Sequence, residues 1–267
     1  MLDVSSERIS GLLLSLDDQK KIRKEKSWED FGNGSKVRNL PVIFPANKVI
    51  VACDTELAFK VFIPVSAKRE AGAGPLERSE LENLMAQAIG KVFNHHRKEA
   101  SLVLGVDELD AILAGSNISG FEVDGHKVIN PLGFEPEEMR AVMEMTFTSR
   151  KTFERVRSII KKANFFFTEK SQAQAAAIRK VEAKRADFLA IGYDRSYLYA
   201  GNGFEIHRAR KELKWSAGKL VAEIVRNWDL SENTARDIYG YYLKKGVSPS
   251  LEKYLRKIFS KPLGELV

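Results

Sequence analysis

A single cysteine, Cys53, among 267 residues leaves no partner for a disulfide within the chain. That excludes a disulfide-framed fold and points to a reducing, cytoplasmic setting, with the thiol as a small buried group in an apolar run. Long apolar runs are missing too. No stretch approaches the roughly 20 apolar residues that span a bilayer, and no positive start precedes an apolar run, so neither a membrane span nor a secretory signal is expected. Histidine is scarce, four in all, and shows no metal-ligand spacing. His126 and His207 stand alone. His95 and His96 are adjacent and project about 100° apart on a helix, which suits partners of a helix C-terminus better than ligands of one metal.

Charge of one sign is not in short supply, but it is not segregated either. The formal net charge is +7 and the pI about 9.3, yet Lys and Arg alternate with Asp and Glu nearly everywhere. The net charge suggests weak attraction to nucleic acid or anionic lipid, but the interspersion favours a solvated surface over a nucleic-acid site, and no nucleic-acid partner is expected. With 44% hydrophobic and 30% charged residues, the chain has the composition of a globular protein. Its length allows one large or two medium domains.

The clearest pattern lies from Val123 to Arg150, VDGHKVINPLGFEPEEMRAVMEMTFTSR. Asp124-Gly125 predicts a tight hairpin turn, because such a turn needs positive φ and Gly supplies it without steric cost. A bend follows at Asn130-Pro131-Leu132-Gly133. Met139, Ala141, Met143, Met145 and Phe147 then alternate with Glu138, Arg140, Glu144, Thr146 and Thr148, the period of a half-buried strand.

Residues 2 to 16 read as two strands joined by a polar turn, with Leu12, Leu13 and Leu14 in a buried second strand. Lys20 to Asn39, charged and carrying Gly32-Asn33-Gly34, reads as a loop. Val42-Ile43-Phe44, Val49-Ile50-Val51 and Phe59 to Val65 read as strands. After a turn at 71–75, Leu81, Leu84, Met85, Ala88, Ile89 and Val92 mark one face of a helix from about Glu77 to His96. Past Ser149, Phe153, Val156, Ile159, Ile160 and Ala163 mark a second helix, and Phe165-Phe166-Phe167 a short core strand. Ala-rich 171–185 is helix-prone. Asp187 to His207 reads as strand, turn, strand, the glycine turn Gly201-Asn202-Gly203, and a further strand. A helix follows Trp215-Ser216-Ala217-Gly218, another is N-capped by Ser231, and a last amphipathic segment runs from Ser250 to Phe259, ahead of Pro262.

This order resembles FtsA, the bacterial cell-division member of the actin-like ATPases. The features that carry the resemblance are the strand–turn–strand start, strand–helix–strand–strand with its DG turn and NPLG bend, and the second half opening on a glycine-bearing turn. The resemblance implies an α/β, actin-like (RNase H-like) fold. It divides the chain into 1–53, an abbreviated first subdomain; 54–148, the inserted FtsA-type (SHS2-like) subdomain; 149–185, the return and interlobe helix; and 186–267, the start of a second lobe. The chain stops before the family's adenine-binding glycine turn and its terminal amphipathic helix, so the second lobe is expected to be incomplete, in a short relative or an incomplete coding region.

By the same resemblance, Asp3 would reach toward Mg²⁺ through water, and Ser5, Ser6, Gly192 and Ser196 would contact the phosphates of ATP. Active members read Asp-x-Gly-x-x-Thr at the second turn. Here Ala190 stands in place of the acid, and Tyr193 and Arg195 crowd the phosphate path, so no efficient hydrolysis and no catalytic residue are expected. The family then implies a scaffold acting through surfaces, with FtsZ, other division proteins or a second copy as partners at the cytoplasmic face of the membrane. Arg140 and Glu144 would sit on the exposed side of the inserted subdomain. The alternative is the pilus-assembly relative PilM, which binds a short peptide of an inner-membrane partner. A sugar or acetate kinase of the superfamily would need a catalytic Asp and a complete cleft that the sequence does not offer. An α/β interaction domain without nucleotide needs neither.

Overall fold

The computed structural model describes residues 1–5, 8–16, 22–31, 48–70, 72–160, 164–174, 187–199 and 210–266. It divides into two compact units, Met1–Gln174 and Ala175–Val267.

The first unit is built on a five-stranded sheet of β1 (Leu2–Val4), β2 (Arg8–Leu16), β3 (Ile22–Phe31), β4 (Lys48–Cys53) and β9 (Asn164–Glu169), in the order β3-β2-β1-β4-β9. The first three strands form an antiparallel meander, and β1, β4 and β9 run parallel. Alternation places Leu2, Val4, Val51, Cys53 and Phe167 on one buried face, where Val156 and Ile160 of helix α2 (Arg150–Ile160) cover them. Of the three phenylalanines predicted as core, only Phe167 is fully buried; Phe166 points to the other face and is exposed.

Strand β3 corrects the reading of Lys20 to Asn39 as a loop over 22–31; 32–39, with Gly32-Asn33-Gly34, lie outside the described residues. Residues 23–27 are all exposed and show no alternation, yet the strand's backbone pairs with β2 from Arg8↔Phe31 to Leu16↔Ile22. It is the sheet's edge, and charge there discourages pairing with another chain. Leu12 and Leu13 of β2 are half-buried rather than buried. The strand expected at Val42-Ile43-Phe44 lies outside the described residues, as do Ala163 and most of the helix expected at 171–185, of which only 170–174 is described, as a helical turn.

Between β4 and β9 the chain forms a second sheet from β5 (Ala58–Lys68), β6 (Ala111–Val123), β7 (His126–Val128) and β8 (Glu138–Ser149), ordered β5-β8-β6-β7. The predicted alternation holds: Met139, Ala141, Met143, Met145 and Phe147 are buried in one core. Helix α1 (Arg78–Leu104) packs there through Leu81, Met85, Ile89 and Ala100. The helix is two turns longer than its expected end at His96, because Ala100, Val103 and Leu104 continue the apolar face until Gly105, whose φ of 65° caps it. His95 and His96 are therefore inside the helix and not at its end.

Asp124 (φ 45°) and Gly125 (φ 84°) make the hairpin between β6 and β7. The bend at Asn130–Gly133 docks onto the segment leading into α1: Leu76 N donates to Phe134 O at 2.7 Å and Gly133 N donates to Leu76 O at 3.0 Å. Arg69, with 2% of its side chain exposed, locks the same corner through a two-point pair with Glu80 (2.7 and 2.8 Å) and a bond to Gly74 O (3.0 Å).

The second unit opens on an antiparallel meander of β10 (Phe188–Ile191), β11 (Ser196–Tyr199) and β12 (Arg210–Leu213). The strand expected just after Gly201-Asn202-Gly203 falls in 201–209, outside the described residues. Helices α3 (Gly218–Trp228), α4 (Glu232–Leu243) and α5 (Pro249–Gly264) follow, around Trp215, Leu220, Ile224, Leu255 and Phe259. Ser231 caps α4 as predicted, accepting from Thr234 N at 3.2 Å. The last helix does not stop before Pro262 but runs through it to Gly264. Pro262 has no N–H to return to the carbonyl of Ile258, which costs the last turn one bond, and Trp215 Nε1 donates to the Pro262 carbonyl at 2.6 Å.

Gly133 has φ 84° and nothing within 4 Å of where a Cβ would sit, so a side chain there meets backbone strain and no clash. Gly133→Val should cost about 1–2 kcal/mol in a denaturant melt. Gly133→Asn, which tolerates the left-handed region, should cost less. Equal losses would show that the backbone at this position is not what constrains it.

Candidate functional site

The carboxyl ends of parallel strands are where ligands bind in open α/β sheets. At those ends β1 carries Asp3, on the face opposite Leu2 and Val4, and β4 delivers Asp54 immediately after Cys53. The Asp54 backbone N–H donates to Val4 O at 3.0 Å, which fixes the two strand ends together. From the end of β9 comes Lys170. Its Nζ lies 2.8 Å from Asp3 Oδ2 and 3.4 Å from Asp54 Oδ1, bridging the acids. Burial opposes the charge on Lys170, but the hydrogen bond to Asp3 and the charges of Asp54 and Asp3 outweigh it and hold the ammonium above the ordinary lysine value. Beside it Glu169 is fully buried and accepts from the Ser171 hydroxyl. The sequence offered Asp3 as a candidate but gave no sign of Lys170, whose partners are remote in the chain. Ser5 is half-buried just past β1, and Ser6 lies outside the described residues.

The second-unit turn is closed on itself. Gly192 N donates to Arg195 O at 3.0 Å, while its carbonyl accepts from Ala217 N at 3.0 Å. Gly218 is the residue that needs to be small, since a Cβ would stand 2.9 Å from Tyr193 O. Ser196 is fully buried in β11. Tyr193 fills the turn: its hydroxyl donates to Glu232 at 3.0 Å and the Arg236 guanidinium lies over its ring at 3.8 Å. Burial and that hydrogen bond raise its pKa. Neither the Gly192 N–H nor the Ser196 hydroxyl is thus offered to solvent, and Ala190 adds no acid.

Of the two proposed partner-binding residues, Arg140 is exposed and pairs with Glu138 (3.0 Å) and Glu122 (3.6 Å). Glu144 is not exposed as expected: only 13% of its side chain is accessible, and Lys60 holds it at 2.6 Å. At the same strand position, Gln172 Nε2 donates to the Lys60 backbone carbonyl at 3.3 Å. His95, His96 and Glu99 bring one ligand atom each within 4.8 Å, with His96 Nδ1 3.0 Å from Glu99. Side-chain reach along α1 brings them closer than adjacency suggested.

An open groove of about 790 Å³, within the roughly 300–1,000 Å³ of ligand pockets, runs beside α1. Ile89, Gly90 and Phe93 from one stripe of the helix face Ala111 and Leu113 of β6, with Leu109, Arg97 and Arg150 completing it. Arg97 lies over the Phe93 ring at 5.4 Å and pairs with Glu108 at 3.0 Å; Arg150 pairs with Asp110 at 3.3 Å. Leu109 is 74% exposed. No motif in the sequence marked this groove, because its walls come from three separate elements.

No protein-family model matches the sequence, and no curated protein matches it. Among solved structures, the PilM-PilN type IV pilus biogenesis complex aligns with 99% of this chain and 73% of its own, at 11% identity and a TM-score of 0.55. A protein of Bacteroides thetaiotaomicron with an actin-like ATPase fold and unknown function aligns at 7% identity over 85% and 74% of the two chains, TM-score 0.38. The cytoplasmic domain of EpsL, an inner-membrane component of the Vibrio cholerae type II secretion system, aligns at 12% over 86% and 76%, TM-score 0.31. With the strand order of the first sheet, the similarity to PilM establishes an α/β fold of the actin-like kind. No helix among the described residues is long and apolar enough to cross a membrane.

Two groups at the strand ends favour their protonated forms. Burial first, then Asp54 and Asp3, pushes the Cys53 thiol up, and Lys170 is raised as above. Each contributes stability that is whole below its unfolded pKa, about 8.5 for a thiol and 10.4 for lysine, and that is lost as pH rises toward the folded value. Stability should therefore decline from about pH 8.5 upward, and Cys53→Ala should remove the earlier part of the decline. Cys53 should resist alkylation by iodoacetamide until the protein is denatured; rapid labelling of the native chain would contradict its burial.

Proposed function

We propose that this chain is an actin-like scaffold that works by binding proteins and does not hydrolyse ATP, and that a short segment of a partner protein occupies the groove beside α1. The observation that carries this reading is the groove itself: Ile89, Phe93, Leu109 and Leu113 offer apolar contacts and Arg97 and Arg150 offer positive charge at its edges. That combination suits an extended segment with apolar anchors and an acidic group. The likeness to PilM, seen in complex with PilN, supports a pilus-assembly type of partner. ATP with Mg²⁺ is not expected to bind productively, since Ala190 lacks the acid and the Gly192 amide is already bonded.

A division role with FtsZ is the second reading. It rests on the resemblance at the DG turn and the Asn130–Gly133 bend, which have positive φ at Asp124, Gly125 and Gly133 as tight turns need. On that reading Arg140, exposed on the uncovered face of the second sheet, belongs to the contact surface.

Calorimetric titration of the chain with peptides of PilN, and separately with FtsZ, distinguishes the two. Gly90 has nothing within 4 Å of a Cβ and lies in a helix, so Gly90→Trp fills the groove without disturbing the core. Gly90→Trp and Arg150→Glu should each weaken peptide binding roughly tenfold or more, equivalent to about 1.4 kcal/mol. Binding of FtsZ alone, weakened by Arg140→Glu and unaffected by Gly90→Trp, would replace the pilus-type reading with the division one.

A further inference from the structure

Asp3 and Asp54 converge from the ends of neighbouring parallel strands, and convergent carboxylates ordinarily ask for a cation. Here the chain brings its own. We propose that Lys170 is a resident counter-ion that takes the place a divalent metal would need between Asp3 and Asp54, so that the first unit is complete without a metal–nucleotide complex. This rests on the strand-end geometry and stands apart from the partner reading.

The distances exclude an ion ligated directly by these two oxygens, and because Asp3 Oδ1 is buried the ammonium also holds the oxygen from which a bridging water would act. Lys170 Nζ sits 2.8 Å from Asp3 Oδ2 and 3.4 Å from Asp54 Oδ1. A Mg²⁺ or Mn²⁺ ion on the same oxygens would need to lie at roughly 2.0–2.2 Å from each, inside the ammonium's own contact distance. The ammonium is also poorly placed to leave. Its backbone follows β9 directly, where Glu169 is in register with Cys53, and the next residues are tied down by the Ser171–Glu169 and Gln172–Lys60 hydrogen bonds. Swinging it out would leave two carboxylates facing each other, one of them with a buried oxygen, Oδ1 of Asp3, that has no hydrogen-bond partner among the described residues. A Mg²⁺–nucleotide site of the kind the actin-like fold implies therefore does not fit Asp3 as it stands.

The experiment compares melting midpoints of the full chain in Mn²⁺, in Mg²⁺–ATP and in KCl of matched ionic strength. The unmodified chain and Lys170→Arg should show the same midpoint in all three and no saturable Mn²⁺ uptake by electron paramagnetic resonance. Lys170→Met should melt lower in KCl, recover saturably toward the unmodified midpoint in Mn²⁺, and lose that recovery when combined with Asp54→Asn. If Lys170→Met does not fold in KCl, a cooperative melt appearing with Mn²⁺ is the same result. Saturable Mn²⁺ or Mg²⁺–ATP binding that raises the midpoint of the unmodified chain overturns the proposal, and so does a Lys170→Met chain that Mn²⁺ does not rescue.

Discussion

The parallel pairing of β4 with β9 is the constraint on which the first unit depends. Residues 48–53 must find residues 164–169, and everything from Ala58 to Ile160 has to be accommodated between them. Closing so long an excursion costs chain entropy before any contact repays it. The repayment is concentrated: Val49, Val51 and Cys53 meet Phe167 under α2, and Thr148 and Gln172 bond back to Leu57 and Lys60 at the start of the insertion. Lys170 adds an electrostatic clasp at the point of return, joining the end of β9 to the strands on which the chain began and departed. The second sheet is thus not hung on a flexible stalk. It grows out of the same strand ends that hold the acids.

What the sequence made legible was local. The Met139–Phe147 alternation, the DG turn, the Gly133 bend and the Ser231 cap each depend on a few consecutive residues, and each is present as read. What it hid depended on partners far along the chain. Strand β3 is a strand only because β2 lies beside it, and its run of exposed charges has no periodicity to betray it. Glu144 looked like a solvent residue by alternation, but the solvent face of a sheet can still be occupied, here by Lys60. Helix α1 ended late because apolar spacing continued through Ala100 and Leu104 past an uninformative polar stretch. Lys170 sits in an unremarkable polar sequence, and only the parallel register places it over Asp3.

The two turns that resemblance tied to phosphate have been closed by different means. In the first unit a positive side chain satisfies the acids. In the second, an aromatic ring held by Arg236 and Glu232 fills the turn, and the glycine amide is spent on Arg195. A phosphate cradle needs uncommitted backbone N–H groups and small neighbours. Both are replaced by internal contacts that contribute to folding whether or not a ligand is present. Ala190, where the resemblance expects an acid, is in keeping with these contacts.

If Lys170 keeps the strand ends closed as proposed, recognition falls to the outer faces. Those of the first unit are stiff for identifiable reasons. One wall of the groove is a continuous helix whose start is pinned by the Arg69–Glu80 pair and whose end is capped at Gly105. The other is β6, paired along its length to β8. A rigid groove loses little conformational entropy when a flexible segment enters it, so the ordering cost falls on the segment alone. The arginines at the rim are already engaged with Glu108 and Asp110, which keeps them oriented and lets an incoming carboxylate exchange for an exposed pair of small net worth. On the proposed reading, arginines already held in place and apolar contacts from Phe93 and Leu113 form a docking surface whose occupancy would follow the partner's concentration.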